Sequence, residues 1–181
     1  MILTRDFVMS YSPKIKDRSF GKTSDSILQE STHYFASTGF YDVFLSHSYA
    51  DKEYVKKLIS MFADAGYHTY VDWIDDAHLN REDVTPQTAD LLRKRIAQSK
   101  GLAYVTSSNI TNSKWCPWEL GFADGKRYGK CCILPVLARQ QESFSGQEYL
   151  GLYPYLEYVA TDDFYVCVNR GRTKLSTWLK N

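Results

Sequence analysis

The stretch YDVFLSHSYADKEYVKKLISMFADAG, residues 41–66, joins the pattern of a strand to that of a helix. Residues 41–46 are an apolar run with the length of one buried strand. Further on, apolar side chains recur at the spacing of one helix face: Tyr54, Val55, Leu58, Ile59 and Phe62. Ser48 or Asp51 can cap the start of that helix, and Gly66 can end it. The stretch therefore predicts a strand, a short polar turn and a helix.

The same alternation continues towards the C-terminus. Apolar runs of strand length lie at 67–73, 101–107, 131–138 and 155–160. Helical patterns lie at 86–99, from about Cys116 to Tyr128, and at 173–180. Continuous apolar strands that alternate with helices are typical of a parallel sheet covered on both faces. We predict an α/β fold with a central parallel sheet of about five strands and helices on both faces.

The N-terminal region has a different character. Residues 1–39 are polar and irregular, apart from a possible helix from Ser24 to about Ala36 that precedes Gly39. We interpret residues 1–39 as an N-terminal extension, or as an added edge element, and residues 40–181 as the folded domain.

Composition argues against several classes of partner. The 22 basic and 21 acidic residues give a net charge of +1, which offers no electrostatic attraction to nucleic acid or to an anionic membrane. No apolar run approaches the roughly 18 residues of a membrane-spanning helix, and the N-terminus does not resemble a signal peptide. Four cysteines without CxxC spacing suit a reducing compartment. We expect a soluble, cytoplasmic protein.

Common motifs of metal and redox enzymes do not occur in the sequence. The four histidines form no HExxH pattern, so no metal site is expected. There is no GxGxxG, so NAD is not expected as a redox cofactor. Gly21-Lys22-Thr23 resembles the end of a phosphate-binding loop, but Lys16 stands where that motif requires its first glycine.

Polar residues follow the predicted strands. Ser46-His47-Ser48 follow the first strand, Trp73 and a long acidic loop end the second, and Ser107-Ser108-Asn109 follow the third. The next helix begins within NSKWCPWELG, residues 112–121, and carries Glu119. Ligands of open parallel sheets bind outside the carboxyl ends of the strands. We therefore expect these residues to converge on one ligand-binding edge.

Each of these residues also has a purely structural explanation. Glu119 near a helix start can compensate the helix dipole, which is worth about 0.3–1 kcal/mol, although Trp115, four residues earlier, can share its face of the helix. Cys116 is either a reactive thiolate or a packed, unreactive cysteine. Ser46 and His47 point to opposite faces of an extended strand, which favours a ligand-binding turn or a helix cap over a Ser-His hydrolase pair.

Four stretches, taken in their order along the chain, resemble the Toll/interleukin receptor (TIR) domain. They are YDVFLSHSYADKEYV, YHTYVDW, the loop with DDAHLNRE, and SKWCPWELG. More closely, they are similar to the stand-alone bacterial TIR proteins of antiphage defence, of the Thoeris type. The resemblance covers residues 41–138 and implies a flavodoxin-like fold, in agreement with the pattern of strands and helices.

The resemblance implies an NAD+ glycohydrolase or cyclase, with NAD+ as the substrate. Enzymatic members carry a catalytic glutamate in a WxxxE pattern, which falls here on Trp115 and Glu119. One carboxylate is sufficient, because the cationic nicotinamide leaves as a neutral molecule and the oxocarbenium-like ribose then needs an anion. Trp73 and Trp115 are candidate aromatic walls for the pyridinium ring. Ser46 and Arg81 are candidate contacts for ribose or pyrophosphate.

The resemblance also implies partners. These are other copies of the chain in a homo-oligomer with TIR–TIR contacts, and a downstream effector that senses an ADP-ribose-derived, often cyclic, signal. The loop after the second strand often reaches a neighbouring subunit, so Arg81 can belong to another subunit's site. Asn80-Arg81 stands where many relatives carry Asp-Arg, which leaves the role of this loop open. The alternative is a non-enzymatic TIR adaptor that acts only through TIR–TIR interactions, but the complete WxxxE pattern favours the enzyme.

Overall fold

The structure, a computed structural model, describes residues 1–13, 39–76, 85–107, 109–110, 113–139, 148–159, 163–168 and 171–181. Its α-helices are α1 (Arg5–Ser10), α2 (Lys52–Asp64), α3 (Asp72–Asp75), α4 (Pro86–Ala97), α5 (Trp115–Lys126) and α6 (Leu175–Trp178). Its strands are β1 (Leu3–Thr4), β2 (Tyr41–Ser46), β3 (Thr69–Tyr70), β4 (Ser99–Thr106), β5 (Cys131–Leu137), β6 (Tyr155–Val159), β7 (Asp163–Val168) and β8 (Gly171–Lys174). Within these ranges, every helix is too short or too polar to pass through a membrane.

The strands form one sheet in the order β3-β2-β4-β5-β6-β7-β8, with β1 paired to β5. All pairs from β3 to β6 are parallel, as is the β1–β5 pair, so the predicted α/β fold is confirmed. The sheet has eight strands rather than about five, because β7 and β8 extend it with antiparallel pairs and β1 adds a further parallel pair on β5. Only residues 160–162 separate β6 from β7, and a connection so short cannot make the crossover that a parallel pair requires.

Two elements are shorter than the sequence pattern predicts. The second strand, expected over 67–73, ends after Thr69–Tyr70, and the chain then turns into α3. The Val71 N–H donates a 2.8 Å hydrogen bond to Asp75 Oδ2, so a local side chain replaces the next strand partner. The C-terminal helix, expected over 173–180, is only Leu175–Trp178, since the residues before it continue the sheet as β8.

The first residues of the chain pack on the sheet. β1 lies parallel to β5, with Leu3 opposite Val136. Leu3 and Val8 have no exposed surface, and the ring of Tyr11 meets that of Tyr158 edge-on. Residues 1–13 are therefore an added element of the sheet. The predicted helix at about 24–36 lies outside the described residues, and a domain boundary at residue 40 stays a prediction.

Each face of the sheet has its own apolar core. On one face, Val43 and Leu45 of β2 pack with α2, whereas on the other face Phe44 packs with α4 and α5. Full burial of one such side chain stabilises the fold by about 1.5–3 kcal/mol. The alternation persists to the end of β2, where Ser46 bonds to α5 and His47 bonds to α3. The strand therefore delivers two neighbouring polar residues to opposite faces.

Candidate active site

Ser46 and Glu119 meet at the carboxyl end of β2. Ser46 is the last residue of the strand, and its Oγ donates a 2.6 Å hydrogen bond to Glu119 Oε2. Glu119 is 0% exposed and Ser46 is 1% exposed. The bond therefore joins the sheet to α5 away from bulk water, where hydrogen bonds to a charged group are strong.

The start of α5 determines where Glu119 lies. The helix begins at Trp115, and Ser113 Oγ accepts a 3.2 Å hydrogen bond from the Cys116 N–H, as a capping side chain does. Pro117 lies in the first turn, where its missing N–H leaves no intrahelical bond unmade. Trp115 and Glu119 share the buried face one turn apart. Glu119 is thus directed at the sheet and is not an exposed carboxylate at the helix end.

Cys116 packs as a core residue. It has no exposed surface, and Ser113 Oγ donates a 3.0 Å hydrogen bond to its Sγ. Reactive thiolates lie in partly exposed, electropositive surroundings. The geometry therefore agrees with the packed, unreactive alternative for this cysteine.

Tyr104 is a further member of this site that sequence reasoning missed. The register of β2 and β4 sets Tyr104 directly beside Ser46, so the two side chains point to the same face. Tyr104 is 2% exposed, and burial raises its pKa well above the ordinary range. The phenol beside Ser46 therefore stays protonated at neutral pH.

His47 and Trp73 meet on the other side of β2. Trp73 Nε1–H donates a 2.8 Å hydrogen bond to His47 Nε2. Because an indole N–H can only donate, His47 Nε2 carries a lone pair and the ring proton is on Nδ1. Nδ1–H donates in turn to the Leu45 carbonyl at 2.8 Å, and Asp72 Oδ1 lies 3.7 Å from Nε2. The Nε2 bond therefore ties the end of β2 to α3, and the Nδ1 bond holds the ring against β2 itself.

The two predicted aromatic walls lie in different cores. Trp73 lies on α3 and packs against the α2 core. Trp115 packs in the core of α4 and α5, where its ring centroid is 5.4 Å from that of Trp118. The structure thus brings Trp115 to the face of Glu119 and Trp73 to the opposite face. Arg81 lies outside the described residues.

Two carboxylates hold α3 in place. Arg95 of α4 forms two hydrogen bonds of 2.7 Å to Asp76, and Tyr70 O–H donates to the same carboxylate at 2.9 Å. Asp75 accepts a 3.1 Å hydrogen bond from Tyr41 O–H, and burial raises the pKa of Asp75 to about 6. A four-residue helix has little stability of its own, so these bonds fix its position.

Asp51 connects two of the strand ends. Its carboxylate is almost fully buried and accepts hydrogen bonds from Ser107 Oγ and Asn109 Nδ2. Asp51 directly precedes α2, and Ser107 directly follows β4. The polar residues after β2 and β4 therefore converge, as expected for neighbouring strands of a parallel sheet.

The site offers one buried carboxylate, the hydroxyl of Ser46 and the protonated phenol of Tyr104. A fixed anion of this kind can stabilise a positive charge that develops on a bound ligand. In the part of the chain that the structure describes, no three His, Cys, Asp or Glu side chains are arranged to hold a metal ion.

Comparison with known proteins also points to the TIR domain. A sequence profile of the TIR domain matches residues 43–163. A Bacillus cereus (strain MSX-D12) protein named "Probable 3' cyclic ADP-D-ribose synthase ThsB'" is 38% identical over 160 residues, which are 86% of this chain and 82% of that protein. The "Putative cyclic ADP-D-ribose synthase TIR2" of Cytobacillus dafuensis is 42% identical over 103 residues, 56% of this chain and 27% of that longer protein.

Among solved structures, the TIR domain of the Toll-related receptor TRR-2 from Hydra magnipapillata matches 57% of this chain and 75% of that chain, with 24% identity and a TM-score of 0.41. The family assignment rests on the profile, which spans more than half of the sequence, and on the Bacillus cereus relative, which aligns over most of both proteins. The chain belongs to the TIR domain family, as the motifs around Ser46 and Glu119 predicted.

Proposed function

We propose that this protein cleaves the bond between nicotinamide and ribose in NAD+ and releases an ADP-ribose product in cyclic form. The observation that carries the proposal is the fully buried Glu119 carboxylate, bonded to Ser46 at the end of a parallel strand. Both curated relatives are named as cyclic ADP-D-ribose synthases, which supports the same reaction. NAD+ enters as the substrate and not as a redox cofactor.

Cleavage of this bond requires an anion rather than an acid. Nicotinamide is positively charged while it is bound to ribose, and it leaves as a neutral molecule with the electron pair of the broken C–N bond. The positive charge then resides on the oxocarbenium-like ribose, which a fixed carboxylate stabilises. Glu119 supplies this carboxylate, and its burial keeps water from screening the interaction.

Ser46 gives the carboxylate its orientation. The 2.6 Å bond to Oε2 fixes Glu119 before the substrate arrives, so no reorganisation is needed while charge develops on the ribose. We assign Ser46 a second contact, to a ribose hydroxyl of the bound substrate, because a serine hydroxyl accepts as well as donates.

The names of both relatives favour a cyclic product over a linear one, because both are named as cyclic ADP-D-ribose synthases. Water that attacks the ribose cation gives linear ADP-ribose, whereas a hydroxyl of the same molecule gives a ring when its oxygen bonds to C1′ and its proton passes to solvent.

The remaining candidate residues take supporting roles in the proposal. Trp115 contacts the nicotinamide ring, since it shares a helix face with Glu119. Trp73 contacts the substrate from the other side of the strand end, and Arg81 binds ribose or pyrophosphate in its own or a neighbouring subunit. We further propose a cytoplasmic homo-oligomer with TIR–TIR contacts, whose product activates a separate effector in antiphage defence.

An adaptor that acts only through TIR–TIR contacts would have no chemical need for a buried glutamate. Burying a carboxylate is costly, and a protein that used only its surface would gain nothing from this arrangement. The names of both relatives also describe synthases. We therefore place the enzyme ahead of the adaptor.

The test is nicotinamide release from NAD+, measured by chromatography for the purified wild type and for Glu119→Gln. Glutamine has nearly the same shape and its Oε1 can still accept from Ser46, so this variant removes the charge and keeps the size of the side chain. We expect at least a roughly 100-fold loss of rate. Glu53→Gln is the matched control, because Glu53 is exposed on α2 and pairs there with Lys56, away from Ser46 and Glu119.

Two outcomes would contradict the proposal. Equal release by wild type and Glu119→Gln would remove the role of Glu119. No release by concentrated, assembled protein, with or without phage lysate, would favour the adaptor. Mass spectrometry of the product distinguishes the cyclic from the linear form.

A further inference from the structure

Lys52, the first residue of α2, is held at the end of β2 by uncharged groups. Its Nζ donates a 2.8 Å hydrogen bond to the hydroxyl of Tyr49. The same ammonium lies 4.3 Å from the centroid of the Tyr49 ring and 5.2 Å from that of Trp73. The faces of both rings attract a cation, but neither ring neutralises its charge.

No carboxylate pairs with Lys52 among the residues that the structure describes. Its sequence neighbours are engaged elsewhere: Asp51 accepts from Ser107 and Asn109, and Glu53 pairs with Lys56 at 3.2 Å. Most surface lysines are free to move in water, whereas this one is half-buried and lies against two aromatic rings. Lys52 is therefore a positioned positive charge without a counterion in the described chain.

A chain of neighbouring residues leads from Lys52 to the site of Glu119. Trp73, whose ring faces Lys52, donates its N–H to His47. His47 directly follows Ser46, whose hydroxyl binds Glu119. A cation and an anion thus flank the same strand end, one on each side. A ligand with a cationic ring and a separate anionic group can bridge this end with complementary charge at both places.

We propose that Lys52 binds the pyrophosphate of the NAD+ substrate, at a site that it forms with Tyr49 and Trp73. The inference rests on the proposed cleavage of NAD+, whose only anionic group is the pyrophosphate. Tyr49 is 58% exposed, so a hydrated phosphate reaches the ammonium without entering either core. The two rings hold the lysine in place, while one of its three N–H groups donates to a phosphate oxygen.

The experiment titrates NAD+ into Glu119→Gln protein by calorimetry, so that binding is measured without turnover. Lys52→Met keeps an apolar stem against the rings and removes the charge. Lys56→Met is the matched control, since Lys56 lies one turn later on α2 and pairs with exposed Glu53. We expect the Kd for NAD+ to rise about tenfold or more with Lys52→Met, to rise far less with Lys52→Arg, and to stay within about twofold with Lys56→Met.

Nicotinamide riboside, which has the same scissile bond but no phosphate, is the second probe. Its affinity should not depend on Lys52. Equal losses for both ligands would mean that Lys52 only shapes the site, and an unchanged Kd for NAD+ would likewise overturn the phosphate contact. Either result leaves the cleavage reaction standing if wild type releases nicotinamide. If neither wild type nor Glu119→Gln protein binds NAD+, the phosphate contact and the proposed function are both wrong.

Discussion

The two sides of the end of β2 differ in their exposure to water. On the side that faces α5, the side chains of Ser46, Tyr104 and Glu119 are each at most 2% exposed. On the side that faces α2, Tyr49 is 58% exposed and Lys52 is half-buried. The step from one side to the other is a single residue, from Ser46 to His47, because successive side chains of a strand point to opposite faces. One strand end therefore carries the buried Glu119 carboxylate on one side and, on the other, a more exposed place where Lys52 lies against two aromatic rings.

The difference in exposure matches the two charged parts of the proposed substrate, the ribose that becomes cationic and the pyrophosphate. A positive charge that develops on ribose is stabilised best by an anion that water does not screen. A pyrophosphate, in contrast, is strongly hydrated, and a partly exposed lysine can bind it without a large desolvation penalty. We therefore expect substitutions on the α5 side to lower kcat and substitutions on the α2 side to raise KM.

After the loss of Glu119 itself, the largest effect should come from Ser46→Ala. The variant loses the hydroxyl that orients the carboxylate, and hydrogen bonds to charged groups contribute about 1.5–3 kcal/mol. We expect kcat for nicotinamide release to fall roughly 10- to 100-fold, with a much smaller change in KM. Ser60→Ala is the control, since Ser60 is also buried but bonds to the Lys56 carbonyl within α2. A kcat within twofold of wild type would contradict the assigned role.

The meeting of Ser46 and Glu119 could be predicted because it depends on general rules. The carboxyl ends of parallel strands share one edge, and residues four apart share one helix face. Neither rule needs a contact between distant segments to be known in advance. The parallel core of the sheet was predictable for the same reason, from the alternation of apolar runs and helical patterns.

Tyr104 and Trp73 could not be placed by these rules. Tyr104 lies within an apolar run, and only the register of β2 against β4 sets it beside Ser46. The pattern YHTYVDW alternates like a strand, but the Asp75 carboxylate takes the Val71 N–H and turns the chain into α3. The position of Tyr104 depends on strand pairing, and that of Trp73 depends on a local side-chain acceptor. Neither can be read from the pattern of apolar and polar residues.

His47 provides the next largest effect and tests the α2 side. His47→Asn loses the acceptor for the Trp73 N–H, whereas His47→Gln keeps an acceptor near the position of Nε2. One neutral hydrogen bond is worth about 1 kcal/mol, so we expect His47→Asn to raise the KM for NAD+ roughly fivefold and His47→Gln to raise it less. Steady-state kinetics with thermal melts of both variants measure this. A loss of kcat at constant KM would mean that the two sides do not act separately.

The remaining effect should be on stability and not on turnover, through the attachment of α3 by Asp75. Burial raises the pKa of Asp75 from 3.8 to about 6, so between these values the folded protein binds a proton that the unfolded chain has released. Stability that depends on Asp75 is therefore greatest below about pH 4 and falls as the pH rises through 6.

Asp75→Asn does not titrate, and its amide can still bond to the Val71 N–H and the Tyr41 hydroxyl. The free energy of unfolding of wild type relative to this variant should thus fall by about 2 kcal/mol between pH 4 and pH 7, measured by urea titration at each pH.

Asp42 supplies a control of opposite sign: although burial opposes it, hydrogen bonds from His68 and Lys100 lower the pKa of Asp42 to about 2. The stability that Asp42 contributes is present above about pH 4 and is lost as the pH falls towards 2, so Asp42→Asn should become less harmful at acid pH. If Asp75→Asn followed wild type in parallel at every pH, Asp75 would not be held as the structure shows, and α3 would be held by Arg95 and Tyr70 on Asp76 and by the bond between Trp73 and His47.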